Sequence, residues 1–234
     1  MKSIVIIPAY NEKDNIIKTI EDIKLHHDGL DIIVINDGSS DETKKVLEQN
    51  KIDYIDLPIN LGIGGAVQTG FKYAFENDYD IAIQFDGDGQ HKASEINKLV
   101  KKLKKETDVV IGSRFLTKEE NFRSTFMRRK GIWIFKIVNY LLIRQVITDN
   151  TSGFRAYNKR AIEFLSKHYP CDYPEPEAVV LLGKNGFRIM EISVEMQERG
   201  FGRSSIRNWR IPYYMFKVLL AIFMVAVRRR ENNC

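Results

Sequence analysis

The chain has 234 residues and a mass of 27.2 kDa, which suits one sizeable core, and a single domain is expected. With 44% hydrophobic and 29% charged residues, and neither repeats nor low-complexity tracts, the composition excludes a disordered chain. The net charge of +5 suits an anionic partner, whether nucleic acid, phosphorylated metabolite or membrane surface, while Cys171 and Cys234 show neither metal-ligand spacing nor a disulfide framework, so inert thiols in a reducing compartment are expected.

The chain opens with MKSIVIIPAYNE, whose apolar run stops at Pro8. That is too short for a signal-peptide core or a spanning helix, so a cytoplasmic start is expected. Three β-branched runs, SIVII (3–7), DIIVI (31–35) and DIAIQF (80–85), lack the alternation of a strand with one wet face and predict strands buried on both sides. Between them, Asn15 to Leu25, Asp41 to Asn50 and Ile63 to Glu76 carry helical spacing. This β-α-β-α order predicts an open parallel sheet with right-handed crossovers. KLVKKLKKE (98–106) predicts a solvated helix with Leu99 and Leu103 on one face, and DVVIGSRF (108–115) a fourth strand.

After residue 120 come a basic, aromatic-rich stretch containing GIWIFKIVNYLLI (131–143), then DNTSGFRAY, a Pro-rich loop YPCDYPEPEAV, a strand-like FRIMEISVEM and the loop ERGFGRSSI. The apolar IPYYMFKVLLAIFMVAV then runs into Arg228, Arg229 and Arg230.

Open α/β sheets bind ligands beyond the carboxyl ends of their strands, and the polar clusters PAYNE, NDGSSDET and DGDGQH fall there. Asp86 and Asp88, at i and i+2 on an extended loop, can aim at one hard cation, with Gln90 offering a further oxygen; a plain Asp-Gly turn is the alternative. His91 and Asn97 stand where an EF-hand loop needs Gly and Glu, so calcium binding of that type is excluded. Mg²⁺ or Mn²⁺ would leave coordination positions for substrate phosphate oxygens. Asp37 is placed to accept from a base N–H or a ribose hydroxyl, and Tyr10 to pack on a ring. Ser40 or Asp41 can also cap a helix. In NLGIGGAVQTG, Gly62, Gly64 and Gly65 suggest close backbone approach at a helix start, but Val67 breaks the dinucleotide fingerprint and no Walker lysine follows.

PAYNE, NDGSSDET, NLGIGGAVQTG, DGDGQH, GSRF, DNTSGFRAY and ERGFGRSSI, in this order, resemble a family 2 glycosyltransferase of the GT-A fold. Within that family they are similar to polyprenyl-phosphate sugar transferases of the dolichol-phosphate-mannose synthase type. The resemblance implies a Rossmann-like, mostly parallel central sheet flanked by helices. It implies that Pro8, Ala9, Tyr10, Glu12 and Asp37 hold the nucleoside, that Asp86 contacts the donor, and that Asp88 and Gln90 hold Mg²⁺ or Mn²⁺. Arg114, Arg128 and Arg129 match positions that meet an acceptor phosphate, and Arg199 matches an arginine bridging donor and acceptor phosphates. Asp149 is expected to orient the acceptor. Asn36 stands where an aspartate is common, no serine follows Arg128 or Arg129 at helical spacing, and the C-terminal transmembrane pair of some relatives is missing.

The run Val218 to Val227 gives about 15 Å of helix against a hydrocarbon core of about 30 Å. An interfacial helix followed by three arginines is expected instead, so residues 1–206 are assigned to a GT-A glycosyltransferase domain and 207–234 to an amphipathic, membrane-associating C-terminal helix. Residues 131–143 form a second interfacial candidate, with core or dimer packing as the alternative for both. No nucleic-acid-reading motif is present, and nucleic acid is not expected as a partner.

The expected function is inverting transfer of a sugar, N-acetylglucosamine or glucose from its UDP-sugar, onto undecaprenyl or another polyprenyl phosphate. It is placed at the cytoplasmic membrane face, with a small membrane partner protein possible, for modification of cell-surface polysaccharide. A mannose donor, a soluble or polysaccharide acceptor, and a non-catalytic nucleotide-sugar-binding module remain alternatives. A phosphate acceptor is already ionised at neutral pH and needs no general base, which agrees with a site rich in arginine; His91 is expected to be structural.

Overall fold

The computed structural model describes residues 1–103, 106–116, 126–197 and 211–227. Arg199 and the arginines at 228–230 lie outside them. A seven-stranded sheet forms the centre, in the order β3-β2-β1-β4-β6-β5-β7. Its strands are β1 (Ser3–Ala9), β2 (Asp31–Asn36), β3 (Tyr54–Asp56), β4 (Ile81–Gln84), β5 (Val109–Ser113), β6 (Arg155–Asn158) and β7 (Ile189–Ser193). β6 is antiparallel to both its neighbours; the other pairings are parallel. The mostly parallel sheet flanked by helices is the Rossmann-like GT-A architecture.

Side-chain alternation explains why the predicted strands are apolar throughout. Ile4 and Ile6 of β1 enter one core with Phe71 and Tyr157, while Val5 and Ile7 enter the other with Ile16, Ile20 and Ile23. The first three predicted helices appear as α1 (Ile16–His26), α2 (Thr43–Gln49) and α3 (Gly62–Glu76). α4 (Ile96–Val100) buries Leu99 but ends before the lysine cluster does, so the long solvated helix expected over 98–106 is not formed across its described residues.

The predicted fourth strand becomes β5, and it does not adjoin β4. β6 lies between them, pairing Ile83 with Ala156 on one side and Val110 with Ala156 on the other. At four residues it carries no readable periodicity. The Pro-rich stretch read as a loop is instead the start of α7 (Pro174–Lys184), with proline in its first turn. Proline suits that position because an N-terminal helical N–H has no intrahelical partner to lose. α6 (Lys159–His168), also unpredicted, is capped by Asn158, whose side chain accepts from Ala161 N–H at 2.9 Å.

α5 (Phe126–Ile143) and α8 (Ile211–Val227) both pack on α7. α5 turns Phe135, Asn139 and Ile143 inward and leaves Tyr140 and Leu141 exposed. α8 buries Val218 and Ile222 and exposes Leu220, Phe223, Met224 and Val227, so its described outward face is apolar apart from Lys217. Lys184 Nζ fastens its end by donating to the carbonyls of Val225 and Ala226 at 3.0 and 2.6 Å. No described helix is long and apolar enough to cross a membrane.

Candidate active site

The carboxyl ends of β1, β2 and β4 open into a cleft of about 470 Å³. Pro8, Ala9, Tyr10 and Glu12 come from the end of β1, Asp37 from the end of β2, Asn60 from just before α3, Gly62, Ile63 and Ala66 from its first turns, and Asp86, Gly87 and Asp88 from the loop after β4. One residue, Glu175 in the first turn of α7, comes from the second half of the chain. The geometry therefore brings together all five residues expected to hold a nucleoside and both aspartates of DGDGQH.

Each wall is fixed by local bonds. Asp37 N–H donates to Ala9 O at 2.9 Å, tying β2's end to β1's, and Asp37 Oδ1 accepts from Leu61 N–H at 2.7 Å. Tyr10 remains half exposed over the cleft. Asn11, with φ at 56°, accepts from the N–H groups of Ser40 and Asp41 and so pins PAYNE to NDGSSDET; Asp41 accepts from Thr43 N–H at the start of α2. Asn36 points away from the nucleoside wall: its Nδ2 donates to Asp56 of β3 at 2.6 Å. The glycines of NLGIGGAVQTG serve packing. Gly62 has φ at 79°, and a Cβ on Gly64 would lie 2.5 Å from Pro170 O, so α3 is pressed against that backbone.

Asp86 is held from behind. His91, buried, places Nε2 3.0 Å from Asp86 Oδ2 and stacks on Phe154 at 5.0 Å between ring centroids. Burial works against the Asp86 charge, but the His91 hydrogen bond and the charges of His91, Arg114 and Arg155 outweigh it, leaving the carboxyl below its usual range. DNTSGFRAY supplies the floor. A Cβ on Gly153 would lie 2.6 Å from Asp86 Oδ1; Ser152 Oγ donates to Gly112 O at 2.7 Å; Arg155 is fully buried, donating to Ser152 O and Asn150 O. Sequence reasoning recognised this motif without assigning these roles, because each is a packing relation between segments far apart in the chain.

Asp88 Oδ1 accepts from Gln90 N–H at 3.0 Å, closing a tight turn. The loop is braced from β7's side: Gln197 donates through its backbone N–H to Gln90 O and through Nε2 to Gly89 O, both at 2.9 Å. Five carboxylates and no lysine or arginine line the cleft among the described residues. Such surroundings oppose a diphosphate that comes without a cation, and Asp88, Gln90 and Asp86 are hard oxygen donors of the kind Mg²⁺ and Mn²⁺ prefer.

Arg114 meets Asp149 in a forked pair: Nε donates to Oδ2 at 2.7 Å and Nη2 to Oδ1 at 2.6 Å, with Nη2 also donating to Thr151 Oγ1. Burial opposes the Arg114 charge, yet the bonds and charge of Asp149 more than offset it, raising the guanidinium pKa. Asp149 is wholly buried against Arg114, so a part in orienting an acceptor would run through that guanidinium rather than through direct contact. Glu191 holds this loop by accepting from the N–H groups of Thr148 and Asp149, both at 2.7 Å. Arg128 and Arg129 lie in the first turn of α5, their side chains outside the described set, as Arg199 is altogether.

Comparison with known proteins agrees with this geometry. Residues 4–165 match the model of "Glycosyl transferase family 2". A UDP-N-acetylglucosamine–dolichyl-phosphate N-acetylglucosaminyltransferase of Methanococcus voltae is 30% identical, with 94% of this chain and 95% of the relative covered. The polyprenol monophosphomannose synthase of Mycolicibacterium smegmatis is 27% identical, over 93% of this chain and 85% of the relative. Among solved structures, glucosyl-3-phosphoglycerate synthase of Mycobacterium tuberculosis, in complex with Mn²⁺, UDP and phosphoglyceric acid, superposes with a TM-score of 0.74. It is 15% identical, over 97% of this chain and 79% of that one, and so speaks for the fold alone. The strand-end cleft, the ordered motifs and these matches converge: the chain belongs to glycosyl transferase family 2.

Proposed function

We propose that the protein transfers N-acetylglucosamine or glucose from a UDP-sugar to polyprenyl phosphate at the cytoplasmic face of a membrane. The observation that carries this reading is the cleft itself, with a half-exposed tyrosine and Asp37 at one end and the acid pair at the other. Similarity over most of both chains to enzymes named for a dolichyl-phosphate acceptor and a polyprenol monophosphomannose product supports the lipid acceptor. The outward apolar faces of α5 and α8 support membrane association, as a face lying on lipid rather than spanning it.

Asp88 and Gln90 would hold Mg²⁺ or Mn²⁺, with Asp86 beside them; solved complexes of the mycobacterial synthase contain either ion with UDP. A cation there supplies charge neutralisation for the departing diphosphate. The chain's own residues do the rest. Tyr10 covers the base, and Asp37 accepts from the nucleoside. His91 and Gly153 keep Asp86 ionised and in place, and Asp149 fixes Arg114, whose guanidinium carries further N–H donors for an acceptor phosphate. The acceptor oxygen attacks the anomeric carbon directly and the diphosphate leaves from the opposite side, so the sugar carbon inverts.

The test offers purified protein labelled UDP-N-acetylglucosamine, UDP-glucose and GDP-mannose with undecaprenyl phosphate, with and without chelator. Butanol-extractable label from a UDP-sugar, abolished by chelator and by Asp88→Ala, is expected. Label from GDP-mannose alone would reassign the donor. Transfer to a soluble acceptor only, or an Asp88→Ala variant as active as the parent, would overturn the reading.

A further inference from the structure

Of the five carboxylates lining the cleft, four have structural partners. Glu12 accepts from Asn15, Asp37 from Leu61 N–H, Asp86 from His91, and Asp88 from Gln90 N–H. Glu175 has no side-chain hydrogen bond or ion pair to another described residue; its carboxylate meets only its own backbone N–H. Exposed to the cleft but shielded from bulk water, it is an acceptor left open.

Its neighbourhood explains how an extra acid is tolerated there. Burial, and then Asp86, disfavour the Glu175 charge, while Arg155 and Arg114 favour it. Arg155 is fully buried and commits Nε and Nη2 to backbone carbonyls, so its charge acts on Glu175 through space rather than by direct pairing.

The order of strands places Glu175 along the ligand. The nucleoside walls stand over β2 and β1 and the acid pair over β4, which spans about 10 Å at the usual strand spacing. The next strand in that direction is β6, which carries Arg155, the counter-charge of Glu175. In a nucleoside diphosphate sugar laid along this line, the sugar lies beyond the diphosphate, on the Glu175 side.

We infer that Glu175 reads the donor sugar, accepting hydrogen bonds from its ring hydroxyls, and that it sets which sugar is transferred. This rests on the nucleotide-sugar reading above and goes beyond it by naming the discriminating side chain. A carboxylate accepts from paired hydroxyls and rejects an analogue whose hydroxyl is misplaced or absent, a stronger filter than apolar shape. Because a phosphate acceptor needs no base, Glu175 is free for this role.

The experiment measures binding of UDP, UDP-N-acetylglucosamine, UDP-glucose, GDP and GDP-mannose to the full chain, in Mg²⁺, for the parent, Glu175→Gln and Glu175→Ala. In Glu175→Ala, the nucleotide alone should bind within about twofold of the parent, while the preferred sugar nucleotide should weaken about tenfold or more, the loss of a hydrogen bond to a charged group. Preference among the sugars should narrow in turnover, and Glu175→Gln, which keeps one acceptor oxygen, should fall between. Equal weakening of nucleotide and sugar nucleotide would show a structural role and overturn the inference. Unchanged binding of both, with only kcat lost, would make Glu175 a catalytic group instead and overturn it as well. A parent protein that binds no sugar nucleotide would sink the donor reading first, and this one with it.

Discussion

The Arg114–Asp149 pair separates stability from function most sharply. Asp149 is 0% exposed and Arg114 18%, so the two partners leave unequal debts when separated. Arg114→Met strands a buried carboxylate with the residue 114 N–H at 3.0 Å and Thr151 Oγ1 at 3.4 Å. Breaking a buried pair costs about 3–5 kcal/mol, and these residual donors place the loss at about 3 kcal/mol. Asp149→Asn leaves a guanidinium that still reaches water, a loss of about 1–2 kcal/mol. Since about 1 kcal/mol moves Tm by about 2–4 °C in a chain this size, the methionine variant should melt about 6–12 °C lower. The double variant should fall short of the summed losses by at least about 1 kcal/mol, because no charge is left unpaired. Urea and thermal unfolding measure this, and lipid-linked sugar formation should be lost in all three variants. An Arg114→Met protein within about 0.5 kcal/mol of the parent, or strict additivity, would refute the pairing as described.

Gly153→Ala should reduce turnover at least about 100-fold, because its Cβ would lie 2.6 Å from Asp86 Oδ1 and a displacement of about 1 Å at a reacting site costs that much; full activity would disprove the packing. His91→Phe should make the fold more acid-sensitive. Asp86 has a lowered folded-state pKa, so its stabilising contribution is complete above the unfolded value of about 3.9 and is lost as pH falls through the lower folded one. Without His91 that loss should begin at a higher pH, as followed by circular dichroism. Lys184→Ala removes two hydrogen bonds to the end of α8 and should speed amide exchange there about tenfold while leaving β1 protected.

How far the sequence can be read depends on how local each signal is. β1, β2 and β4 are continuous apolar runs ending in polar clusters, so both the strands and the cleft at their ends were legible, down to Asp37 and Asp86. The antiparallel insertion of β6 was not, since RAYN is four residues whose pairing is decided by distant partners. Prolines at 174 and 176 suggested a loop, yet in the first helical turn they cost nothing, and that misreading hid Glu175. Asp149 was recognised, but its burial and its pairing with Arg114 depend on distant packing that the sequence does not display.

The charge of the cleft ties these observations together. A chain with net charge +5 nonetheless lines its donor cleft, among the described residues, with Glu12, Asp37, Asp86, Asp88 and Glu175 and with no basic side chain. Arg155 is buried behind that wall and Arg114 is engaged by Asp149, so neither lines the cleft, and their charges act first on its carboxylates. A diphosphate brought into this field would add like charge at short range, where screening by salt is weakest. On the proposed reading, the acidic lining would make a divalent cation a condition of donor binding as well as of turnover. On the same reading, Arg114, which lies outside the cleft lining, would be left for the second phosphate, the acceptor's. Carboxylates on the donor side and a guanidinium on the acceptor side would then let two phosphorylated substrates meet at one sugar carbon without either occupying the other's place.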